Sequence, residues 1–322
     1  MKKIEEVYGK EYIFVDVRSS KEFAEDHIPG AVNIPLFSNE ERAIVGTLYK
    51  QVGKDVAIEK GLEIVGHKLP EMIQEYQKYK EKKLIIYCWR GGMRSGSVVG
   101  LLQNLQFDVE QLENGYKDYR RFVREGLETF SIPPLIVLYA LTGSGKTEML
   151  QQLKNSIDLE GLAQHRGCIF GDVGLSPRTQ KMFDSLLLQR LYQLQKEDHV
   201  FIEGESRKIG NTMIPLRLFT LMQKGRKVKV ICPIEQRVER LYTEYCHSLD
   251  ISLLVQKIRY IEKNLGKKKA EDLIEMLEEG KVKKVIEVIL LEYYDKLYRH
   301  TVDSKEYIFE VQNLEELRAL PL

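Results

Sequence analysis

Short stretches rich in β-branched and aromatic residues recur along the chain: Tyr12-Ile13-Phe14-Val15, Leu84-Ile85-Ile86-Tyr87, Leu135-Ile136-Val137-Leu138-Tyr139, His199-Val200-Phe201-Ile202 and Val228-Lys229-Val230-Ile231. Runs of this length, ending in turn or charged residues, read as buried strands of parallel sheets. Between them the pattern turns helical. Ser19 can cap a helix from Ser20, a polar helical stretch crosses the 60s to the early 80s, and residues 96–105 form another. Further helices are predicted from Glu148, over 233–240, and through the charged region 251–300. Alternating strands and helices predict an α/β protein. Pro133-Pro134 breaks the pattern, so two domains are expected, 1–125 and 132–322, the second with a helical C-terminal part.

A length of 322 residues suffices for two separate cores. With a net charge of +1, any nucleic-acid contact must come from a local patch. Lys263, Lys267, Lys268, Lys269, Lys281, Lys283 and Lys284 alternate with acidic clusters. They read as a solvated helical face, or as a surface touching RNA phosphates. Tyr293-Tyr294 reads as packing, or as a stacking surface for a base. No apolar run approaches the ~20 residues that span a bilayer, and MKKIEEVYGK carries charge where a secretory leader needs hydrocarbon. Cys88, Cys168, Cys232 and Cys246 lack the spacing of a disulfide framework or zinc site, so a cytoplasmic protein with reduced thiols is expected.

The segment CWRGGMRS, 88–95, gives the first candidate chemistry. A strand end fixes Cys88 as nucleophile. Gly91 and Gly92 let the next backbone curl with its N–H groups inward, and Arg90 and Arg94 add charge that favours a thiolate and an anionic ligand. A helix following the loop points its N-terminus at the same place. Together with DVRSSKEFAEDHIPGAVNIP upstream, the segment resembles the rhodanese (sulfurtransferase) domain. The resemblance implies that Cys88 carries a chalcogen in a persulfide-type intermediate. Asp16 paired with Arg18, and His27 in its turn, read as structural. Five residues separate Cys88 from Arg94, one more than in the common sulfurtransferase loop and the length used by cysteine-dependent phosphatases. A wider ring of N–H groups suits a bulky tetrahedral anion.

ALTGSGKT, 140–147, lies between a predicted strand and a predicted helix, the context a phosphate-binding P-loop requires. Backbone N–H groups across Gly143, Ser144, Gly145 and Lys146 would ring a diphosphate, Lys146 would reach its outer oxygens, and Thr147 would hold Mg²⁺ if present. Ala140 replaces the usual first glycine. After the strand containing Ile202 come Glu203, Glu205 and Arg207, either supporting the site or forming a solvated strand end. Glutamate stands where an NTPase places aspartate, which counts against Mg²⁺-dependent NTP hydrolysis and leaves the need for Mg²⁺ open. Arg237 and Arg240 face a phosphate or form helical ion pairs.

An anion cradle with a thiol, joined to a diphosphate cradle, is an unusual pair. CWRGGMRS, TGSGKTEML, GDVGLSPRTQKMFDSLL, FIEGESRKIGN and LLEYYDKLY together make the chain resemble the tRNA 2-selenouridine synthase family nearly end to end. The resemblance implies conversion of wobble 2-thiouridine to 2-selenouridine by S-geranylation from geranyl diphosphate, then selenation from selenophosphate through Cys88. It implies tRNA, geranyl diphosphate and selenophosphate as partners, no tightly bound cofactor, no membrane, and an apolar groove near Lys146. The residues alone leave two other readings open. One is an ATP-dependent kinase or NTPase fused to a sulfurtransferase. The other is a non-catalytic RNA-binding module, which has no use for Cys88 or Lys146.

Overall fold

A computed structural model describes residues 1–246 and 251–321; the Cys246 side chain lies outside the described residues. Two compact units result, Met1–Thr129 with Asp184–Gln189, and Phe130–Phe183 with Arg190–Leu322.

The first unit is built on a parallel sheet ordered Val32–Asn33, Ile13–Asp16, Leu84–Tyr87, Val109–Gln111. All four residues of Leu84–Tyr87 are buried, as a central strand covered on both faces requires. At its neighbour's end, Arg18 Nη2 meets Asp16 Oδ2 at 2.6 Å, and both side chains are buried. His27 Nδ1 lies 2.9 Å from Phe23 O, so both residues have the structural roles expected of them. The Ser20–Glu25 helix starts behind Ser19 in a capping box with Glu22.

The polar stretch differs from expectation. A first helix, Asn39–Gln51, precedes it, and a second, Lys54–Gln77, starts before the 60s, runs through Pro70 and ends before the 80s. Ser38 accepts from the Glu41 N–H at 3.2 Å in a capping box that marks the first start. The second is held by the side it buries, Ala57, Gly61, Met72 and Tyr76, and this packing overrides the proline penalty. The helix after the cysteine loop spans Met93–Asn104, not 96–105, because Gly92 caps it before its apolar residues Val98, Val99 and Leu102 begin.

The second unit has a five-stranded parallel sheet ordered Phe309–Val311, Arg226–Val230, Leu135–Tyr139, Val200–Glu203, Ser156–Ile157. Leu135–Tyr139 is central and fully buried, which places the P-loop at the carboxyl end of the sheet. The two edge strands were not legible because each is only two or three residues long. Beyond the sheet, Ile251–Tyr260, Lys267–Glu278 and Val282–Ile289 pack around Leu273, Leu277, Val285, Ile289 and Tyr294, and the helix Asp295–Asp303 follows. A π-helical turn, Leu290–Tyr294, aims Leu290 and Tyr294 into that core. Among the described residues, no helix is long and apolar enough to cross a membrane.

Candidate functional site

Cys88 ends its strand 3% exposed. The loop folds over it because Gly91 takes φ +61°, where an added Cβ would come within 2.7 Å of Leu112 O. Ser95, in the first turn of the following helix, donates its hydroxyl to Cys88 Sγ at 3.2 Å. Gln111 Nε2 donates to that hydroxyl at 2.8 Å and to Gly91 O at 2.7 Å, fixing loop and helix start together. Burial opposes ionisation of Cys88. The Ser95 hydroxyl and N–H, the Arg94 charge and the Arg90 N–H outweigh it, holding the thiol below its ordinary range. Arg90 was expected to act through its charge; it contributes through its main chain, and its side chain is exposed. Arg94 Nη1 rests 3.4 Å from Glu22 Oε2, a weak contact that an incoming anion can replace. Gly92 caps the helix at the loop's open side. The site presents a nucleophilic sulfur beneath a cationic rim.

The P-loop site is built on opposed charges. Gly145, at φ +87°, brings Lys146 into the first position of the Lys146–Gln151 helix. Lys146 Nζ lies 3.8 Å from Glu205 Oε1. Thr147 Oγ1 donates to Glu160 Oε2 at 3.1 Å, and the Glu160 N–H donates to Glu203 Oε1 at 2.7 Å. Glu160, Glu203 and Glu205 bring one oxygen each within 4.8 Å of one another. Glu203 is fully buried and its Oε2 has no partner among the described residues, so the solvated strand end does not hold for this residue. Burial, then the neighbouring carboxylates, push Glu203 and Glu160 above the ordinary carboxylate range. A buried carboxylate oxygen left over beside two others and a threonine hydroxyl fits a hard divalent cation.

The other predicted residues divide. Ser144 spends its N–H on Leu141 O at 3.3 Å, so Gly143, Gly145, Lys146 and Thr147 are left to ring an anion. Arg207 is exposed, donates to Ile214 O at 3.3 Å in a small hairpin, and does not line the cavity. Arg240 lines it, donating to Gly143 O at 2.8 Å and Glu148 Oε2 at 2.9 Å. Arg237 is buried behind the loop, tied to Asp295 at 2.6 Å and to Thr142 O at 2.8 Å. It braces the loop and does not face a ligand.

Around the loop lies a cavity of about 440 Å³, lined also by Glu160, Arg166 and Cys168, three residues that sequence reasoning missed. His165-Arg166-Gly167-Cys168 carried a weak signal, a glycine turn among reactive types; Glu160 carried none, since only the fold returns it to the loop. A second, almost wholly apolar cavity adjoins the first and shares Thr142, Cys168, Leu241 and Tyr245 with it. Its far walls are Ile258, Leu277, Ile286 and Ile289. Burial pushes the Cys168 thiol up to about 11, so that sulfur is wall and not nucleophile. Lys263, Lys267, Lys268, Lys281, Lys283 and Lys284 are exposed, and Lys269 is half-buried. Lys269, Lys283 and Lys284 pair with Glu292, Glu239 and Glu287, at 3.1, 2.5 and 2.7 Å.

Comparison with known proteins agrees with both halves. Residues 3–122 match the rhodanese-like domain, and residues 133–318 match the tRNA 2-selenouridine synthase AAA domain. The chain is 31% identical to tRNA 2-selenouridine synthase of Shewanella pealeana, over 90% of this chain and 89% of that one. Identity is 32% to the Shewanella piezotolerans protein of the same name and 31% to that of Photobacterium profundum, each over 90% and 89% of the two chains. A rhodanese-like α/β domain followed by a P-loop α/β domain, matched across nearly the whole length, shows that the chain belongs to the tRNA 2-selenouridine synthase family.

Proposed function

We propose that this enzyme converts the wobble 2-thiouridine of tRNA to 2-selenouridine in two steps, S-geranylation at the P-loop cavity and selenation at Cys88. One observation supports the first step: a hydrocarbon-lined cavity of about 60 Å³, which would widen to take a prenyl chain, adjoins the anion cradle and shares Thr142, Cys168, Leu241 and Tyr245 with it. A nucleotide base asks for hydrogen-bonding partners along its edge. A prenyl chain asks for what stands there, Ile258, Leu277, Ile286 and Ile289.

In the first step the thiouridine sulfur attacks C1 of geranyl diphosphate. The C–S bond forms as the C–O bond breaks, diphosphate leaves with the electron pair, and the uridine N3 proton goes to solvent. Lys146 and the loop N–H groups oppose the charge that grows on the leaving diphosphate, an interaction stronger in the transition state than in the ground state. Glu160, Glu203, Glu205 and Thr147 are the groups that would hold Mg²⁺, which would neutralise part of the same charge.

Alkylation converts a poor leaving group into a thioether. In the second step selenium takes its place at C2 and geranylthiol departs. Selenophosphate holds selenium at the selenide level, so thioether, selenophosphate and water give selenocarbonyl, geranylthiol and phosphate with no oxidant or reductant. Cys88 is the nucleophile that opens selenophosphate: its thiolate forms an S–P bond as the P–Se bond breaks, selenide leaves with the electron pair to attack C2, and water then hydrolyses the phosphocysteine to phosphate and the free thiol. Arg94 and the Gly91-Gly92 turn would hold the phosphoryl oxygens, with Arg90 at the rim. The test is mass analysis of a 2-thiouridine anticodon stem-loop incubated with enzyme and each substrate in turn. Geranyl diphosphate alone should add the geranyl mass, and selenophosphate should then exchange it for selenium, without ATP. ATP turnover coupled to thiolated RNA would instead support the kinase-like reading.

A further inference from the structure

The Cys88 loop has a neighbour that none of this chemistry uses. A groove of about 790 Å³ opens beside it, with Gly91, Gly92, Met93 and Arg94 forming one rim and the Lys54–Gln77 helix the other. Phe37, Val65, Ile73 and Leu101 line its walls. Three positions facing it, Gly61, Gly66 and Gly96, have no side chain, and a Cβ at Gly66 would meet nothing within 4 Å. The groove is open: Leu62, Tyr49 and Met93 are 69%, 51% and 49% exposed. Apolar surface of this extent beside a nucleophile marks a binding site rather than a packing fault.

The rim identifies the occupant. A substrate carbon presented at the Cys88 loop, with its selenium source held at Arg94, must direct its leaving group away from the anion site. The groove is the apolar path that leads away from that loop. In the second step the leaving group is a ten-carbon hydrocarbon on sulfur, apolar throughout and without a hydrogen-bonding group. We infer that this groove receives the geranyl chain of the S-geranylated uridine during selenation. The inference rests on the two-step reading. It adds a second prenyl site, separate from the one that binds geranyl diphosphate, and gives the geranyl group a second use: it holds the modified base at Cys88 as well as leaving from it. Selenation should therefore discriminate by chain length on the sulfur, although the carbon–sulfur bond broken is the same.

The experiment compares two stem-loops, one with S-geranyl- and one with S-methyl-2-thiouridine, each given enzyme and selenophosphate. The unaltered protein should favour the geranyl substrate by at least tenfold in kcat/KM. Gly66→Leu fills the groove while improving the helix, and Leu62→Asp makes an exposed part of its wall polar. Both should bring that preference down toward unity, chiefly through a higher KM for the geranyl substrate. Geranyl transfer from geranyl diphosphate to 2-thiouridine RNA is the control that each variant is folded, and it should not change. Equal use of both substrates by the unaltered protein, or a preference that survives Gly66→Leu, overturns the inference and leaves the two-step reading standing. No selenouridine from the geranylated stem-loop overturns the two-step reading itself, and the inference falls with it.

Discussion

The Ser95 hydroxyl donates to Cys88 Sγ at 3.2 Å while Gln111 holds that hydroxyl at 2.8 Å. The contact favours the charged sulfur and works against burial, so the Cys88 thiol ionises below its ordinary range. Alkylation by iodoacetamide should speed up as pH rises through that lowered value and level off before an ordinary thiol would. Ser95→Ala should move the midpoint upward and slow alkylation severalfold at pH 7. Cys168, pushed up to about 11, should stay unmodified. A midpoint unmoved in Ser95→Ala would remove the hydroxyl from the activation of Cys88.

Glu203 gives the opposite sign. Its carboxyl is raised by burial and by Glu160 and Glu205, so the folded protein holds a proton that the unfolded chain has released. Without metal, the native state loses stability as pH climbs above the unfolded carboxyl value and toward the folded one. Glu203→Gln should therefore stabilise the metal-free protein by about 1–3 kcal/mol in urea denaturation at pH 8, and by less at pH 5. Mg²⁺ should raise the Tm of the parent and not of the variant. A Mg²⁺ shift retained in full would show that these carboxylates do not hold the ion.

The apolar cavity behind the P-loop makes a prediction about chain length. Ile286 is one of its partly buried walls. Ile286→Trp should raise KM for geranyl diphosphate about tenfold, an amount of apolar contact equal to losing two methylenes at ~0.8 kcal/mol each. Dimethylallyl diphosphate, which does not reach as far, should be affected less. Steady-state transfer to a thiolated stem-loop measures both, and equal effects on the two donors would place the chain elsewhere.

Lys267 and Lys268 are exposed on the helical part, beside the Lys269–Glu292 pair at 3.1 Å. If they touch tRNA phosphates, replacing Lys267, Lys268 and Lys269 by alanine should flatten the salt dependence of binding by up to about 0.9 per lost contact. An unchanged slope in filter-binding titrations would assign them to a solvated face.

The two chemical centres were readable because each is local. Cys88 to Ser95 and Gly143 to Thr147 follow directly on buried strands, and turn chemistry dictates the loop. What sequence hid comes from distance. Glu160 stands thirteen residues beyond Thr147 in a short helix, and reaches it only because the edge strand Ser156–Ile157 returns the chain to the sheet. The apolar cavity behind the P-loop draws on helices from Ile251 onward, whose apolar positions look like any core until the fold joins them to Thr142 and Leu241. Arg237 and Arg240, three positions apart on one helix, looked interchangeable. The structure buries one on Asp295 and leaves the other over the loop.

On the two-step reading, Lys146 serves geranyl transfer and Cys88 serves selenation. Both variants should be given 2-thiouridine RNA and pre-geranylated RNA, with geranyl diphosphate and selenophosphate present, and the nucleosides read by mass spectrometry. Lys146→Ala should fail on the thiolated RNA yet form selenouridine from the geranylated one. Cys88→Ser should convert thiolated RNA to the geranylated product and stop there. Failure of Lys146→Ala on pre-geranylated RNA, or selenouridine from Cys88→Ser, would contradict the account.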